Sequence, residues 1–277
     1  MGKLPNRLDA AIDAAKKQLE LRECADFLSE DERRYLYDHD GKICAVVEGN
    51  GYIDGINSRM AEFISNNKIR TYECLKAHNI KHPETYSLQD LSETGKFVAS
   101  VNWARYFGNK VGYPLIAKPN QGSHSMGIKL IENYNDLVRY ISEYSEFTED
   151  LIIQQYIPGP EYKIVLFDCD IVVAYKKTSD DPIKPYSRGE TEEIKYISPE
   201  MEEHLIQAAS SLDLNYCSID IKTPTLSKFD AENTYILELN CHPGIHFMLH
   251  EKGPHFVREL YKKLLMDVIS KCKIVQS

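Results

Sequence analysis

The sequence predicts an α+β protein of two lobes behind a short N-terminal region. Three observations carry this. Apolar strands alternate with helical periods and hairpins, a Pro158-Gly159-Pro160 corner interrupts the chain past its middle, and no repeat or low-complexity tract organises it. The 277 residues are 43% hydrophobic and 27% charged, enough for a real core and unlike a disordered chain. Basic side chains number 33 and acidic ones 42, a net charge of −9 that argues against sequence-independent nucleic-acid binding. No apolar run is long enough to span a membrane, and the N-terminus turns polar at once, so neither a span nor a leader is expected. Seven cysteines, an odd count with no C-x-x-C pair, fit reduced thiols in a cytoplasmic protein better than disulfides or a zinc site.

Residues 8–28 read as a helix, with Leu8, Ala11, Ile12, Ala15, Leu19 and Ala25 near a 3.6-residue period. A strand follows at 43–47, then a glycine-rich turn at 48–55. Asn57 or Ser58 can cap a helix running to Ile64, and a second helix covers 68–78 with Tyr72, Leu75 and Lys76 on one side. Pro83 marks an extended segment. Strands are expected at 114–119 and 151–156, with a helix at 135–144 between them. Residues 163–167 and 171–175 flank Asp168-Cys169-Asp170 as a hairpin. The polar stretch 178–191 reads as a loop, 199–212 as a helix, 218–222 and 235–240 as strands, and 254–270 as a terminal amphipathic helix.

The strongest chemical signal is Tyr235-Ile236-Leu237-Glu238-Leu239-Asn240. On a strand, Glu238 and Asn240 share a face, about 6–7 Å apart, while Leu237 and Leu239 point to the core. Ile219-Asp220-Ile221 repeats the arrangement. If the two strands pair, Asp220, Glu238 and Asn240 converge into a hard oxygen site suited to Mg²⁺ beside phosphate. The bland alternative is a polar sheet face with solvated acids. Lys118-Pro119-Asn120-Gln121-Gly122-Ser123-His124-Ser125-Met126-Gly127 follows a strand, and its glycines and small residues allow exposed N–H groups to cradle phosphate; it is not a Walker A loop. Alone it reads equally as a surface loop. In Gln154-Gln155-Tyr156-Ile157-Pro158-Gly159-Pro160-Glu161 a strand meets a rigid corner and presents a carboxylate. Its backbone suits an adenine edge and Glu161 suits ribose hydroxyls; a plain turn is the alternative.

Together, in this order and spacing, these segments resemble the ATP-grasp superfamily from about Ile64 to the terminal helix. The likeness is to carboxylate–amine ligases of the D-alanine–D-alanine ligase, cyanophycin synthetase and bifunctional glutathione synthetase kind. It implies two α/β lobes gripping ATP. The N-terminal region would be 1–65, the nucleotide-binding lobe 66–157 and the metal-binding catalytic lobe 158–277.

Carried over by position, Lys68 and Lys118 contact ATP phosphates, under a loop containing Gly122, Ser123, Ser125 and Gly127. Gln154, Gln155 and Ile157 line adenine and Glu161 holds ribose. Asp220, Glu238 and Asn240 bind Mg²⁺, and Lys177 faces the transferred phosphate. The turn with His242, Gly244 and His246 lies beside the acceptor substrate. The implied reaction is amide formation through an acyl phosphate, on an amino acid or small peptide. No nucleic-acid or membrane partner is expected, and the resemblance allows a homodimer.

Two positions depart from the pattern. Gln154 stands where many relatives carry an acid, and Ser218 where D-alanine–D-alanine ligase has arginine, so the oxyanion role moves to Arg188 or Lys184. The short N-terminal region implies a smaller or more open pocket, or one completed by a second subunit. A phosphotransferase and a non-catalytic nucleotide-binding protein are the competing readings. His242, His246 and His250 recur every four residues, but Pro243-Gly244 opposes a helical zinc face. Cys241 is expected as a packed residue, without a relay to make it a nucleophile.

Overall fold

The computed structural model describes Lys17 and residues 22–26, 33–37, 43–48, 52–88, 94–122, 127–144, 150–178, 191–243 and 245–274. The chain divides into two compact units, residues 1–59 with 242–277, and residues 60–241.

In the first unit, β1 (Arg22–Asp26), β2 (Arg33–Tyr37), β3 (Ile43–Glu48) and β4 (Ile53–Asp54) form an antiparallel meander in sequence order. β1 corrects the expected helix over 8–28, whose remainder lies outside the described residues apart from Lys17. Residues 22–26 pair along their whole length with β2, Arg22 opposite Tyr37 and Asp26 opposite Arg33. A hairpin ladder satisfies backbone groups that a loose apolar period alone would not hold in a helix. Leu36, Ala45, Val47 and Ile53 are buried. Helix α6 (Ile245–Ile274) shares this unit, with Val257, Leu260, Tyr261, Leu264, Leu265, Val268 and Ile269 buried at i, i+3, i+4 spacing. Gly253, at φ 77°, breaks it immediately before Pro254, so the expected helix at 254–270 is preceded by a shorter helical stretch.

The described residues of the second unit form two antiparallel sheets. β5 (Thr85–Leu88), β6 (Leu115–Pro119), β7 (Lys129–Ile131) and β8 (Leu151–Gln155) lie in the order β5-β8-β6-β7. Helices α3 (Thr94–Val111) and α4 (Tyr134–Tyr144) cover one face: Leu88, Leu115, Ala117, Ile131, Leu151 and Ile153 pack with Ala104, Phe107, Leu137, Tyr140 and Ile141. Lys118 and Gln154 belong to the other face, since Lys118 pairs with Ile152 and Ile116 with Gln154.

β9 (Glu161–Phe167), β10 (Asp170–Lys177), β11 (Thr191–Glu193), β12 (Tyr216–Lys222) and β13 (Tyr235–Asn240) form the larger sheet, in the order β11-β10-β9-β12-β13. The expected hairpin joins β9 to β10 through Asp168 and Cys169, both at positive φ as a tight two-residue turn requires. One face, with Tyr162, Ile164, Leu166, Ala174, Cys217, Ile219, Ile221, Ile236 and Leu239, packs against α5 (Pro199–Ser210) through Met201, Leu205, Ala208 and Ala209.

Two short helices, α1 (Arg59–Ser65) and α2 (Lys68–Ala77), precede both sheets in the chain. α2 buries Lys68, Thr71, Tyr72 and Leu75, a stripe at i, i+3, i+4, i+7. Lys76, expected on that side, is exposed.

Candidate active site

The second face of the larger sheet is charged because strand alternation turns Glu161, Lys163, Asp220, Lys222 and Glu238 away from α5. Strand register builds three rows across β10, β9, β12 and β13. Lys163 lies opposite Tyr175 on one side and Asp220 on the other, and Asp220 lies opposite Glu238. One row further, Glu161 pairs with Lys222; in the other direction Val165 pairs with Ser218 and Ser218 with Asn240. The expected pairing of the two acid-bearing strands is therefore present, with Asp220 and Glu238 directly across from each other.

A β-bulge interrupts the alternation in β13. Glu238 pairs with Asp220 but Ile236 with Ile221, so Leu237 is skipped. Ile236 and Leu239 are the fully buried apolar residues there, and Leu237, expected in the core, is only partly buried. Lys81 and Tyr72 cover this edge: the Ile236 N–H donates to the Lys81 carbonyl at 2.9 Å, and the Tyr72 O–H to the Leu237 carbonyl at 2.7 Å.

The acids are held by lysines. Lys163 Nζ stands 2.5 Å from Asp220 Oδ1, and Lys68 Nζ 3.8 Å from Glu238 Oε1. Glu161 Oε2 lies 3.9 Å from Lys177 Nζ and 3.8 Å from Lys222 Nζ, which also donates to the Gly159 carbonyl at 3.0 Å. Burial pushes the Glu161 carboxyl up, helped by Asp220 and opposed by Lys177, Lys222 and Lys163. Burial disfavours charge on Lys163 as well, but Asp220 beside it, together with Glu238 and Glu161, outweighs that and raises its pKa.

The smaller sheet adds Lys118, buried at the end of β6 and lowered in pKa by that burial, against the pull of Glu238, Asp220 and Glu161. Lys68 is likewise lowered by burial. Its Nζ donates to the Gly122 carbonyl at 3.2 Å, while Asn120 Oδ1 accepts from the Ile69 N–H at 3.1 Å, so the start of the glycine-bearing loop is docked on the first turn of α2. Gly122 at φ 115° and Gly127 at φ 73° hold backbone that side chains rarely adopt. Ser123 and Ser125 lie outside the described residues.

Gln154 is buried, and its Nε2 donates to Tyr72 Oη at 2.7 Å and Thr85 Oγ1 at 3.1 Å. The Gln155 N–H donates to the Glu84 carbonyl at 2.8 Å, and Ile157 is buried just beyond. Lys177 is buried at the end of β10. Arg188, Lys184 and Gly244 lie outside the described residues. His246 falls in the first stretch of α6, and His242, in the first unit, packs edge-on against Tyr52 with ring centroids 4.0 Å apart. Cys241 is buried and its thiol is pushed up by that burial, as suits a packed residue.

Lys163 and Lys222 were missed in the sequence, although the signal was there: each stands two residues from an acid already singled out, Glu161 and Asp220, and so on the same strand face. With them the set holds five lysines, Lys68, Lys118, Lys163, Lys177 and Lys222, against three carboxylates. The excess positive charge suits a polyphosphate. Among the described residues no group of three His, Cys, Asp or Glu side chains could hold a metal ion. Two opposed carboxylates and an amide nevertheless fit Mg²⁺, which takes few protein oxygens and shares phosphate. Asp220 Oδ1 is buried, with the Lys163 ion pair as its contact and no aligned hydrogen bond.

D-alanine–D-alanine ligase of Bacillus anthracis is 23% identical over 215 residues, covering 76% of this chain and 67% of that one. A probable alpha-L-glutamate ligase of Aeromonas salmonicida is 24% identical over 195 residues, 69% of this chain and 60% of its own. The structure of the B. anthracis D-alanine–D-alanine ligase complexed with ATP superposes with a TM-score of 0.58 at 17% identity, over 80% of this chain and 70% of that one. The RimK-like ATP-grasp domain matches residues 65–263, and the chain belongs to that family.

Proposed function

We propose that the protein is an ATP- and Mg²⁺-dependent carboxylate–amine ligase that joins an amino acid or small peptide to an amine through an acyl phosphate. The observation that carries this is the pairing of Asp220 with Glu238 on a sheet face whose three acids meet three lysines of their own sheet, with Lys68 and Lys118 added from α2 and β6. The family and the ligases this chain resembles support the same chemistry. The smaller sheet, within 66–157, serves as the nucleotide lobe, and the larger sheet, within 158–277, as the catalytic lobe.

Asp220, Glu238 and Asn240 would hold Mg²⁺, which when bound offsets phosphate charge during transfer. Lys118 and Lys68 bind the phosphate chain, and Lys177, Lys163 and Lys222 take up charge that develops on the transferred group. A substrate carboxylate attacks the γ-phosphorus, forming the C–O–P linkage and releasing ADP. The amine then adds to the acyl carbon, phosphate leaves, and the amine proton passes to solvent. Gln154, Gln155 and Ile157 line the base and Glu161 the ribose end. Arg188, His242, Gly244 and His246 are proposed for the substrate side.

Among the described residues no helix is long and apolar enough to cross a membrane. Cys74, Cys169, Cys217 and Cys241 form no disulfide among the described residues.

The test is to supply Mg·ATP with a panel of amino acids and small peptides and to follow ADP and phosphate. Amine-dependent release of both, with an amide product, is expected. A stable phosphorylated product marks a phosphotransferase instead, and nucleotide binding without turnover across the panel marks a non-catalytic protein.

A further inference from the structure

We infer that Tyr72 is a positioning residue that fixes which way the Gln154 amide lies, and so makes the site select a purine that donates a hydrogen bond from its 6-position. This rests on the nucleotide reading above and extends it to base selectivity.

The argument follows the protons. Tyr72 has one hydroxyl proton, given to the Leu237 carbonyl at 2.7 Å. That carbonyl belongs to the residue skipped by the β13 bulge. Thr85 also has one, given to the Pro83 carbonyl at 2.9 Å. Both hydroxyls therefore turn lone pairs toward Gln154, at 2.7 and 3.1 Å from its side-chain nitrogen. The –NH₂ group uses its two hydrogens on these two acceptors. Reversing the amide would set its oxygen against two oxygens whose protons are already committed.

Two further contacts hold Tyr72 in place. Its ring stacks on His82, centroids 5.0 Å apart at 9°, and its helix buries Leu75 and Thr71 beside it. The orientation of Gln154 is thus set from β13 and the β5 segment, not by the nucleotide. Gln154 Oε1 is left as an acceptor with no partner among the described residues, on the sheet face that carries Lys118. An adenine 6-amino group donates to such an oxygen; the 6-oxo group of hypoxanthine or guanine brings a second acceptor against it.

The experiment measures Mg²⁺-dependent binding of ADP and of inosine diphosphate by calorimetry. Wild type is expected to prefer ADP by about a hundredfold or more. Tyr72→Phe removes only the hydroxyl, so the amide can turn. The preference should fall about tenfold, through weaker ADP and tighter inosine diphosphate binding. Thr85→Val removes the other acceptor and should shift the ratio the same way, which keeps the inference testable if Tyr72→Phe does not fold. Gln154→Leu should abolish most of the preference, and adding Tyr72→Phe to it should change the ratio no further. A merely structural tyrosine would weaken both diphosphates alike; an unchanged ratio in Tyr72→Phe and Thr85→Val overturns the inference while the nucleotide reading stands. Failure of wild type to bind either diphosphate overturns both.

Discussion

The two faces of the β9–β13 sheet are made by alternate residues of the same strands, yet they are built on opposite principles. On one, Ile164, Cys217, Ile219, Ile221 and Leu239 are buried against α5, and each aliphatic side chain removed from water contributes about 1.5–3 kcal/mol. On the other, Lys163, Asp220, Lys222 and Glu161 are partly or fully withdrawn from water and held by ion pairs. Burial of such pairs is costly. The first face holds the fold together. The second is carried by it, and under the proposed function a polyphosphate lies among its lysines.

This contrast can be broken from either side. The largest effect is expected for Lys118→Met, which keeps the buried stem and removes the charge. Turnover should fall by about 100- to 1,000-fold, as for loss of one preorganised electrostatic contact. The melting temperature should hold or rise, because the cost of burying that charge is gone. A large drop in stability would make Lys118 a structural residue. On the apolar face Ile219→Ala should do the reverse. It should cost about 2–5 kcal/mol in urea unfolding while folded protein keeps its nucleotide affinity.

A smaller effect comes from pH. Burial lowers the Lys118 pKa, so a bound polyphosphate should draw a proton onto it. Nucleotide affinity is full at pH below the lowered pKa and should fall about tenfold as pH rises through it. Calorimetry in buffers of different ionisation heat should register proton uptake on binding at pH above that lowered pKa. Smallest is Ser198→Ala at the α5 N-cap, where Ser198 Oγ accepts from the Met201 N–H at 3.3 Å. About 1 kcal/mol of stability should be lost, with no change in nucleotide binding.

Much of the charged face was legible because period-2 alternation is short-range: Ile219-Asp220-Ile221 and Glu238-Leu239-Asn240 announce their faces without any partner strand. Lys163 and Lys222 escaped notice because a lysine on a strand ordinarily reads as solvated; its value comes from the carboxylate across the ladder, which register decides. Leu237 was misassigned for a similar reason, since a bulge is a property of two strands and leaves no mark in one. Helix α3 was overlooked although Val101, Ala104, Phe107 and Val111 carry its period; Gly95 and Gly108 weaken its local preference, and packing on the smaller sheet supplies what propensity lacks. β1 erred the other way, a weak helical period overridden by a ladder with β2.

The most direct test of the charged face is ADP binding with and without Mg²⁺, in wild type and in Glu238→Gln, followed by calorimetry. Wild type should bind one equivalent, more tightly with the metal, and Glu238→Gln should keep its fold and its metal-free affinity while losing most of the metal's contribution. Metal-independent binding identical in the two proteins, or none in either, would contradict the assignment of that face to a metal–nucleotide site.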